Sequence, residues 1–221
     1  MKILQCIPVL LLLLACTLRI NAQEPPFAKD IAAFKQKDSA AFPPKKAILF
    51  VGSSSFTYWK DVQDYFPGHV IINRGFGGSS LPDVIRYADD IIFPYQPKQI
   101  LIYCGENDLA ASDTVTGATV FNRFVELYQL IRAKLPRVPV AYVAMKPSPS
   151  REKNKVQREE GNRLIKEYLK GQKRTSFIDV QPRMLKEDGH PDESLFIQDM
   201  LHMNPKGYAI WKEIIEPYLV K

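Results

Sequence analysis

The amino-acid sequence predicts an α/β domain of three layers, in which helices cover both faces of a parallel β-sheet. Five short apolar runs alternate with longer amphipathic segments, the order expected of strands and helices in such a domain. The runs are apolar almost throughout, which is typical of strands buried on both faces. The chain has 221 residues, of which 46% are hydrophobic and 24% charged. This composition excludes a disordered chain and an obligate membrane bundle.

The first residues of the chain resemble an export signal. Lys2 is followed by an apolar stretch over residues 7–15, and Asn21-Ala22-Gln23 offers a cleavage point with a small residue. The apolar stretch is shorter than the roughly 20 residues that a membrane-spanning helix needs. We therefore predict a signal peptide at residues 1–22, a single domain at residues 23–221, and a periplasmic or extracellular location.

A second interpretation of the same segment is a lipid anchor. Leu13-Leu14-Ala15-Cys16 resembles a bacterial lipobox, which would make Cys16 a lipidated N-terminus.

Cys6 also lies in the signal, so Cys104 remains alone and no intramolecular disulfide is expected. Because Cys104 ends an apolar run, we expect a small buried hydrophobic residue there rather than a nucleophile.

The predicted strands end where strand-stopping residues follow the apolar runs. Glycine, serine or proline comes soon after each of the first four runs. The predicted strands cover residues 47–51, 70–73, 99–104, 138–145 and 175–180.

Helical patterns lie between these strands. Ser80 is a predicted N-cap, because Pro82 and Asp83 suit the first turn of the helix that follows. Further helices, with apolar residues at helical spacing, are predicted over residues 120–135, 152–170 and 208–218. In an open parallel sheet, ligands bind beyond the carboxyl ends of the strands. We therefore expect the loops after strands one, two, three and five to converge.

The loop after the first strand begins Gly52-Ser53-Ser54-Ser55. Taken alone, this sequence fits a turn or a helix cap as well as a nucleophile. It is not the Gly-x-Ser-x-Gly elbow of α/β-hydrolases, because Phe56 stands where the second glycine would be.

The loops after the second and third strands carry candidate anion donors. Residues 73–79 are rich in glycine, which leaves backbone N–H groups open to an anion, but no Walker or dinucleotide pattern is present. Gly105-Glu106-Asn107-Asp108 fits a tight turn, or an amide side chain positioned to donate to an oxyanion.

Near the C-terminus, Asp199 precedes His202 by three residues. An aspartate at this spacing can accept a hydrogen bond from the Nδ1–H of the imidazole, which frees Nε2 to take a proton from a serine. The other two histidines, His69 and His190, stand apart with no metal-ligand spacing, so no metal site is predicted.

Together, the four blocks, in this order over residues 48–208, resemble the SGNH hydrolases of the GDSL family. The resemblance implies a flavodoxin-like α/β/α sandwich with five parallel strands. It also implies a serine esterase that hydrolyses carboxylic esters through an acyl-enzyme intermediate, with no cofactor and no metal.

The resemblance further assigns roles to residues. Ser54 is the implied nucleophile, His202 the general base and Asp199 the residue that orients it. The implied oxyanion hole consists of the Ser54 amide, the Gly78 amide and the Asn107 side chain.

One position departs from the family pattern. The aspartate that usually precedes the nucleophile is Ser53 here. This leaves open how the turn is braced and which of Ser53, Ser54 and Ser55 attacks, although the register with Gly52 favours Ser54.

The expected partner is a small-molecule ester. The compact chain, without an obvious long apolar lid, favours short acyl groups, and the resemblance adds acetylated carbohydrates and lysophospholipid-like or platelet-activating-factor-like esters. A non-catalytic glycan- or lipid-binding domain is the other functional class, because of Ser53. The formal net charge is +6, and the basic runs at 45–46, 151–155 and 170–174 lack interleaved aromatics, so nucleic-acid binding is not predicted.

Overall fold

The computed structural model describes residues 24–221. The predicted signal peptide at residues 1–22, including Cys16, lies outside the described residues. Within the described part of the chain, every helix is too short or too polar to cross a membrane.

The sheet consists of five parallel strands. They are β1 (Ile48–Gly52), β2 (Ile71–Gly75), β3 (Gln99–Tyr103), β4 (Val140–Val143) and β5 (Thr175–Ile178). Their order in the sheet is β2-β1-β3-β4-β5, and every neighbouring pair is parallel. The order changes direction between β1 and β3, and the carboxyl edge at such a point is where open α/β sheets bind ligands.

Helices flank the sheet on both sides. They are α1 (Ala28–Ala40), α2 (Ser54–Thr57), α3 (Val62–Tyr65), α4 (Leu81–Arg86), α5 (Ala88–Ile91), α6 (Glu106–Ala111), α7 (Gly117–Lys134), α8 (Lys155–Lys170) and α9 (Pro205–Ile215). As predicted, Ser80 caps α4 in a capping box with Asp83, and Pro82 lies in the first turn.

Successive side chains of the central strand point to opposite faces of the sheet and join two separate cores. Leu49 belongs to the core that contains Phe124 of α7. Phe50 belongs to the core that contains Phe56 of α2 and Trp211 of α9. Because each face has its own apolar cluster, the three-layer prediction is confirmed.

The predicted ends of three strands are wrong. β2 continues to Gly75, past the predicted end at residue 73. The apolar runs at 138–145 and 175–180 contain the four-residue strands β4 and β5, and Ala144, Met145 and Val180 lie beyond them. These three residues are nonetheless fully buried. An apolar run therefore reports burial, which continues past the last residue that pairs with a neighbouring strand.

Two predicted helix boundaries are also wrong. Pro149–Asn154 forms a 3₁₀ turn, in which Arg151 has a non-helical backbone, and α8 begins only at Lys155. At the C-terminus, α9 ends at Ile215 and Glu216–Tyr218 forms another 3₁₀ turn that contains a proline. Tyr218 is 41% exposed, so it does not belong to the buried apolar face of this last helix.

The N-terminal helix α1 was not predicted from its pattern, because Ile31 is its one buried residue. It is fixed instead by polar contacts from Asp38 to the Arg74 guanidinium and to the Tyr95 hydroxyl. The guanidinium also lies over the rings of Phe34 and Tyr95, at 5.1 and 4.8 Å from their centroids. Arg74, at the start of the glycine-rich segment, thus binds the N-terminal helix.

Candidate active site

The chain turns sharply at the end of β1, immediately before Ser54. Gly52 has a φ of +137°, and a Cβ added there would lie 1.9 Å from the Tyr103 carbonyl oxygen, so only glycine fits. Ser54 is the first residue of α2. Of the three serines, Ser53 is 3% and Ser55 1% exposed, whereas Ser54 is half-buried. This difference supports Ser54 as the serine that a substrate can reach.

The turn around Ser54 is braced without an aspartate at position 53. The carbonyl oxygen of Ser53 accepts hydrogen bonds from the Phe56 amide at 3.0 Å and from the Thr57 amide at 3.2 Å. The Thr57 hydroxyl donates to the same oxygen at 3.3 Å. From α9, the Tyr208 hydroxyl donates to the carbonyl oxygen of Ser55 at 2.9 Å. The main chain and the last helix therefore hold the turn.

Asp199 and His202 are in direct contact. The imidazole Nδ1 lies 2.5 Å from Asp199 Oδ2, while Asp199 Oδ1 accepts the amides of Leu201 and His202 at 2.9 Å. The intervening Met200 has a φ of +56°, which closes this tight turn. Because an ionised carboxylate can only accept, Nδ1 carries the proton and Nε2 is free to act as a base.

The same contacts keep Asp199 charged. Burial raises the pKa of this carboxyl, but the hydrogen bonds from the His202 amide and ring and from the Leu201 amide outweigh it. The net result lowers the pKa of Asp199 to about 2. Asp199 is therefore an anion throughout the neutral pH range.

Tyr58 connects the histidine to the serine turn. Its ring is stacked on the His202 imidazole, with centroids 4.3 Å apart and planes 23° apart. Its amide donates to the Ser54 carbonyl oxygen at 2.8 Å. Half of the tyrosine, 51%, remains exposed. Sequence reasoning missed Tyr58, since an exposed aromatic at a helix end belongs to no motif.

The glycine loop and Asn107 lie on the other side of Ser54. A Cβ added to Gly77 would lie 3.9 Å from the Ser54 Cβ, so this loop passes beside the serine. Gly78 is exposed and has a φ of +84°, a backbone conformation suited to glycine. The Asn107 amide donates one hydrogen to the Ser79 carbonyl oxygen at 3.0 Å. A side-chain amide has a second N–H, which remains for another acceptor.

Asp108 fixes the glycine loop relative to α6. Its buried carboxylate accepts the Leu81 amide at 3.0 Å and the Arg123 guanidinium at 2.8 Å. Burial raises the pKa of Asp108, and these two donors offset the effect only in part. Since Leu81 begins α4, this carboxylate joins the end of the glycine loop to the helix that carries Asn107.

A buried polar cluster, which the sequence analysis missed, lies behind Asn107. Glu106 accepts from the Tyr103 hydroxyl, from Lys146 Nζ at 3.0 Å and from the Ser148 hydroxyl at 3.3 Å. Lys146 is only 1% exposed. Burial and the Glu106 carboxylate raise the pKa of Tyr103 well above its ordinary value. The signal available in the sequence for this cluster was a lysine directly after an apolar run. The contact of Lys146 with Glu106 brings the loop after β4 beside the site.

The remaining sequence candidates lie in ordinary surroundings. Cys104 is buried as expected, and burial raises the pKa of its thiol well above the ordinary value. Trp59 is fully buried, and its indole N–H has no hydrogen-bond partner among the described residues. His190 is exposed and His69 half-buried, both in loops.

The sequence is similar to a known protein family and to curated relatives. The family model for the GDSL-like Lipase/Acylhydrolase family matches residues 43–210. The platelet-activating factor acetylhydrolase IB subunit alpha1 of Bos taurus is 27% identical over 178 residues, which are 73% of this chain and 70% of that protein. The human protein of the same name is 26% identical over 178 residues, which are again 73% of this chain and 70% of that protein.

Solved structures share the fold at low sequence identity. A Streptococcus protein described as a platelet activating factor superposes with a TM-score of 0.75 at 19% identity, covering 87% of this chain and 92% of that one. A GDSL-like lipase from Bacteroides thetaiotaomicron gives 0.70 at 20% identity, covering 85% and 96%. A variant of an acetyl-xylooligosaccharide esterase from Geobacillus gives 0.62 at 12% identity, covering 80% and 96%.

Proposed function

The chain belongs to the GDSL-like lipase/acylhydrolase family, and from this premise we propose that it is a serine esterase of carboxylic esters. The observation that carries the proposal is the contact of 2.5 Å between His202 Nδ1 and Asp199. This contact orients a base on the same surface as the half-buried Ser54, to which Tyr58 links it.

The proposed reaction is acyl transfer to water. The Ser54 hydroxyl attacks the ester carbonyl while His202 Nε2 takes its proton, and the Asp199 carboxylate stabilises the imidazolium that forms. His202 then returns the proton to the leaving alcohol, and water repeats the sequence on the acyl-enzyme.

The charge that develops on the carbonyl oxygen needs fixed donors. We propose that the amides of Ser54 and Gly78 and the free N–H of Asn107 supply them. The loop positions support this assignment, because Gly77 lies beside Ser54 and Asn107 is tied to the same loop through Ser79.

The proposed substrates are short-acyl esters, with acetylated carbohydrates as the first choice. Two similar proteins are named for acetyl substrates, an acetylhydrolase and an acetyl-xylooligosaccharide esterase. In addition, the exposed face of Tyr58 is an aromatic surface beside the base, and such rings offer an apolar body with a polar tip to a ligand.

A lipid ester is the second candidate, favoured by a different observation. Ile197 and Met200, on the segment that carries His202, are 40% and 37% exposed. A longer acyl chain could cover these apolar side chains and the exposed ring of Tyr58. The third candidate, an inactive glycan- or lipid-binding domain, was suggested by Ser53. The main chain and Tyr208 brace the turn without an aspartate, which weighs against this candidate.

The test compares hydrolysis of 4-nitrophenyl acetate, butyrate and octanoate and of acetylated xylose by residues 23–221. Ser54→Ala is the test variant and Ser55→Ala the matched control, because the two serines are adjacent. We expect Ser54→Ala to lose nearly all activity and its labelling by a fluorophosphonate probe, with acetyl esters the best substrates. A clear preference for octanoate would favour the lipid ester. No turnover and no labelling would favour the binding domain.

A further inference from the structure

A small cavity lies between α6, the 3₁₀ turn Pro149–Asn154 and the start of α8. Its lining residues are Glu106, Leu109, Arg151, Asn154 and Arg158. The cavity measures about 10 Å³, which is room for one occupant of the size of a water molecule or a single oxygen.

The cavity is lined by charged groups that lack partners. Arg158 is 3% exposed, and its Nε and Nη1 have no hydrogen-bond partner among residues 24–221. Arg151 Nε and Asn154 Oδ1 are likewise unpartnered within the described chain. An arginine buried without a counter-charge is strongly unfavourable. Arg158 and Arg151 thus supply three unpartnered N–H donors to the lining against one unpartnered acceptor, Asn154 Oδ1, so an occupant that accepts hydrogen bonds suits the cavity.

The neighbouring acids do not neutralise Arg158. Glu106 lines the cavity but is already held by Lys146, Tyr103 and Ser148. Glu159 is exposed, and its carboxylate lies 4.0 Å from Arg158 Nη2, the outer limit of an ion pair.

The cavity adjoins the candidate active site through two links. Glu106 directly precedes Asn107, the proposed oxyanion donor. On the other side, the Ser150 amide donates to the Met200 carbonyl oxygen at 3.0 Å, so Arg151 follows a residue that is bonded to the Asp199–His202 turn.

We propose that Arg151 and Arg158 bind a small anionic group, a carboxylate, at this edge of the active site. Guanidinium groups bind carboxylates through forked N–H donors. One carboxylate oxygen fits the cavity against Arg158, and the other stays at its mouth near the half-buried Arg151. The carboxylate has two sources: a free anion, or an acidic group of the substrate such as that of an acetylated hexuronate. The second source rests on the proposed esterase function.

The first experiment tests binding without any activity. Crystals of residues 23–221 are soaked in sodium formate, the smallest carboxylate, and their electron density is compared with that of crystals without formate. We expect a planar peak of difference density within hydrogen-bond reach of the Arg158 guanidinium, and its loss in Arg158→Met. Arg163→Met is the matched control, since Arg163 is exposed on the same helix, and it should leave the peak unchanged.

The second experiment identifies the source. Hydrolysis of acetylated glucuronic acid is compared with that of acetylated glucose, which differs in the carboxylate. If the substrate supplies the anion, KM is about tenfold lower for the acidic ester, Arg158→Met and Arg151→Gln remove this preference, and kcat changes little. Equal KM values together with a formate peak indicate a free anion.

The outcomes separate this proposal from the esterase proposal. An empty or water-filled cavity in formate, together with equal KM values for both esters, overturns the anion site. If neither ester is hydrolysed, the esterase proposal fails, and the formate peak alone decides the anion site. Arg151→Gln, at a half-buried position, provides a folded variant should Arg158→Met lose stability.

Discussion

The carboxylate of Asp199 makes three hydrogen bonds to the turn that carries His202. In Asp199→Asn, the asparagine keeps the shape of the side chain but can present its NH₂ group to Nδ1. The imidazole then favours the tautomer with its proton on Nε2, which cannot act as the base. We expect kcat to fall on the order of 10³–10⁴-fold in esterase assays, as in other triads. An activity within tenfold of wild type would contradict the orienting role, with unchanged thermal unfolding as the check on folding.

The low pKa of Asp199 has a consequence for the pH dependence. Burial raises this pKa, but the hydrogen bonds lower it by more, so its net value is about 2, below the ordinary value of 3.8. A depressed pKa means that the contact stabilises the folded protein above pH 4 and that the contribution is lost as the pH falls through 2. Urea unfolding at pH 5 and pH 2.5 should therefore show a smaller pH dependence in Asp199→Asn than in wild type.

Asn107 is expected to act on the developing oxyanion. Removal of one such donor costs about 10²–10³-fold in kcat, so we expect this loss in Asn107→Ala with a small change in KM. The variant also loses the bond to the Ser79 carbonyl oxygen, so thermal unfolding is measured beside the kinetics. Wild-type kcat in a folded Asn107→Ala protein would remove Asn107 from the oxyanion hole.

Tyr58 is expected to position His202 through its stacked ring. An aromatic contact of this kind is worth about 0.5–1.5 kcal/mol, which converts to a loss of up to about tenfold in rate. We expect Tyr58→Ala to lower kcat by this amount on 4-nitrophenyl acetate, whereas Tyr58→Phe keeps the ring and should keep the wild-type kcat. A rise in KM on sugar esters with unchanged kcat would instead assign Tyr58 to substrate binding alone.

At the scale of elements, the apolar runs predicted where the strands lie but not where they end. Ala144 and Met145 are as buried as β4 itself, so composition cannot separate the paired residues from those that follow. The predicted helix start at residue 152 was wrong for a related reason, because Pro149–Asn154 forms a 3₁₀ turn. Its local sequence is compatible with a helix, and tertiary contacts such as that of Ser150 with Met200 select the 3₁₀ turn.

The cluster of Glu106 and Lys146 joins three elements: β3, the loop after β4, and α6. Loss of one partner leaves the other charge buried, so we expect Lys146→Met to lower the free energy of unfolding by about 3–5 kcal/mol. Adding Glu106→Gln to Lys146→Met removes the unpaired charge of Glu106, while the glutamine still accepts from the Tyr103 hydroxyl. This double variant should regain about half of the lost free energy of unfolding. Urea unfolding measures both variants, and purely additive losses would contradict the coupling.

At the scale of the molecule, the sequence analysis predicted the parallel sheet and the convergence of the loops that follow β1, β2, β3 and β5. These predictions succeeded because buried parallel strands place their carboxyl ends on one edge. The stacking of Tyr58 on His202 could not be predicted in this way. It joins residues 144 positions apart in sequence, through a long irregular segment whose path depends on packing against α2 and α9.

The last prediction concerns the whole chain and its location. If residues 1–22 are a signal peptide, expression of the full sequence in a Gram-negative host should place the protein in the periplasmic fraction, with Gln23 as its N-terminus by mass spectrometry. The folded part should tolerate this cleavage, because the Tyr87 hydroxyl already holds the Pro26 carbonyl oxygen. A lipid-anchored form would instead appear in the membrane fraction, incorporate labelled palmitate and lose the label in Cys16→Ser. A cytoplasmic protein that retains Met1 would contradict both forms of export.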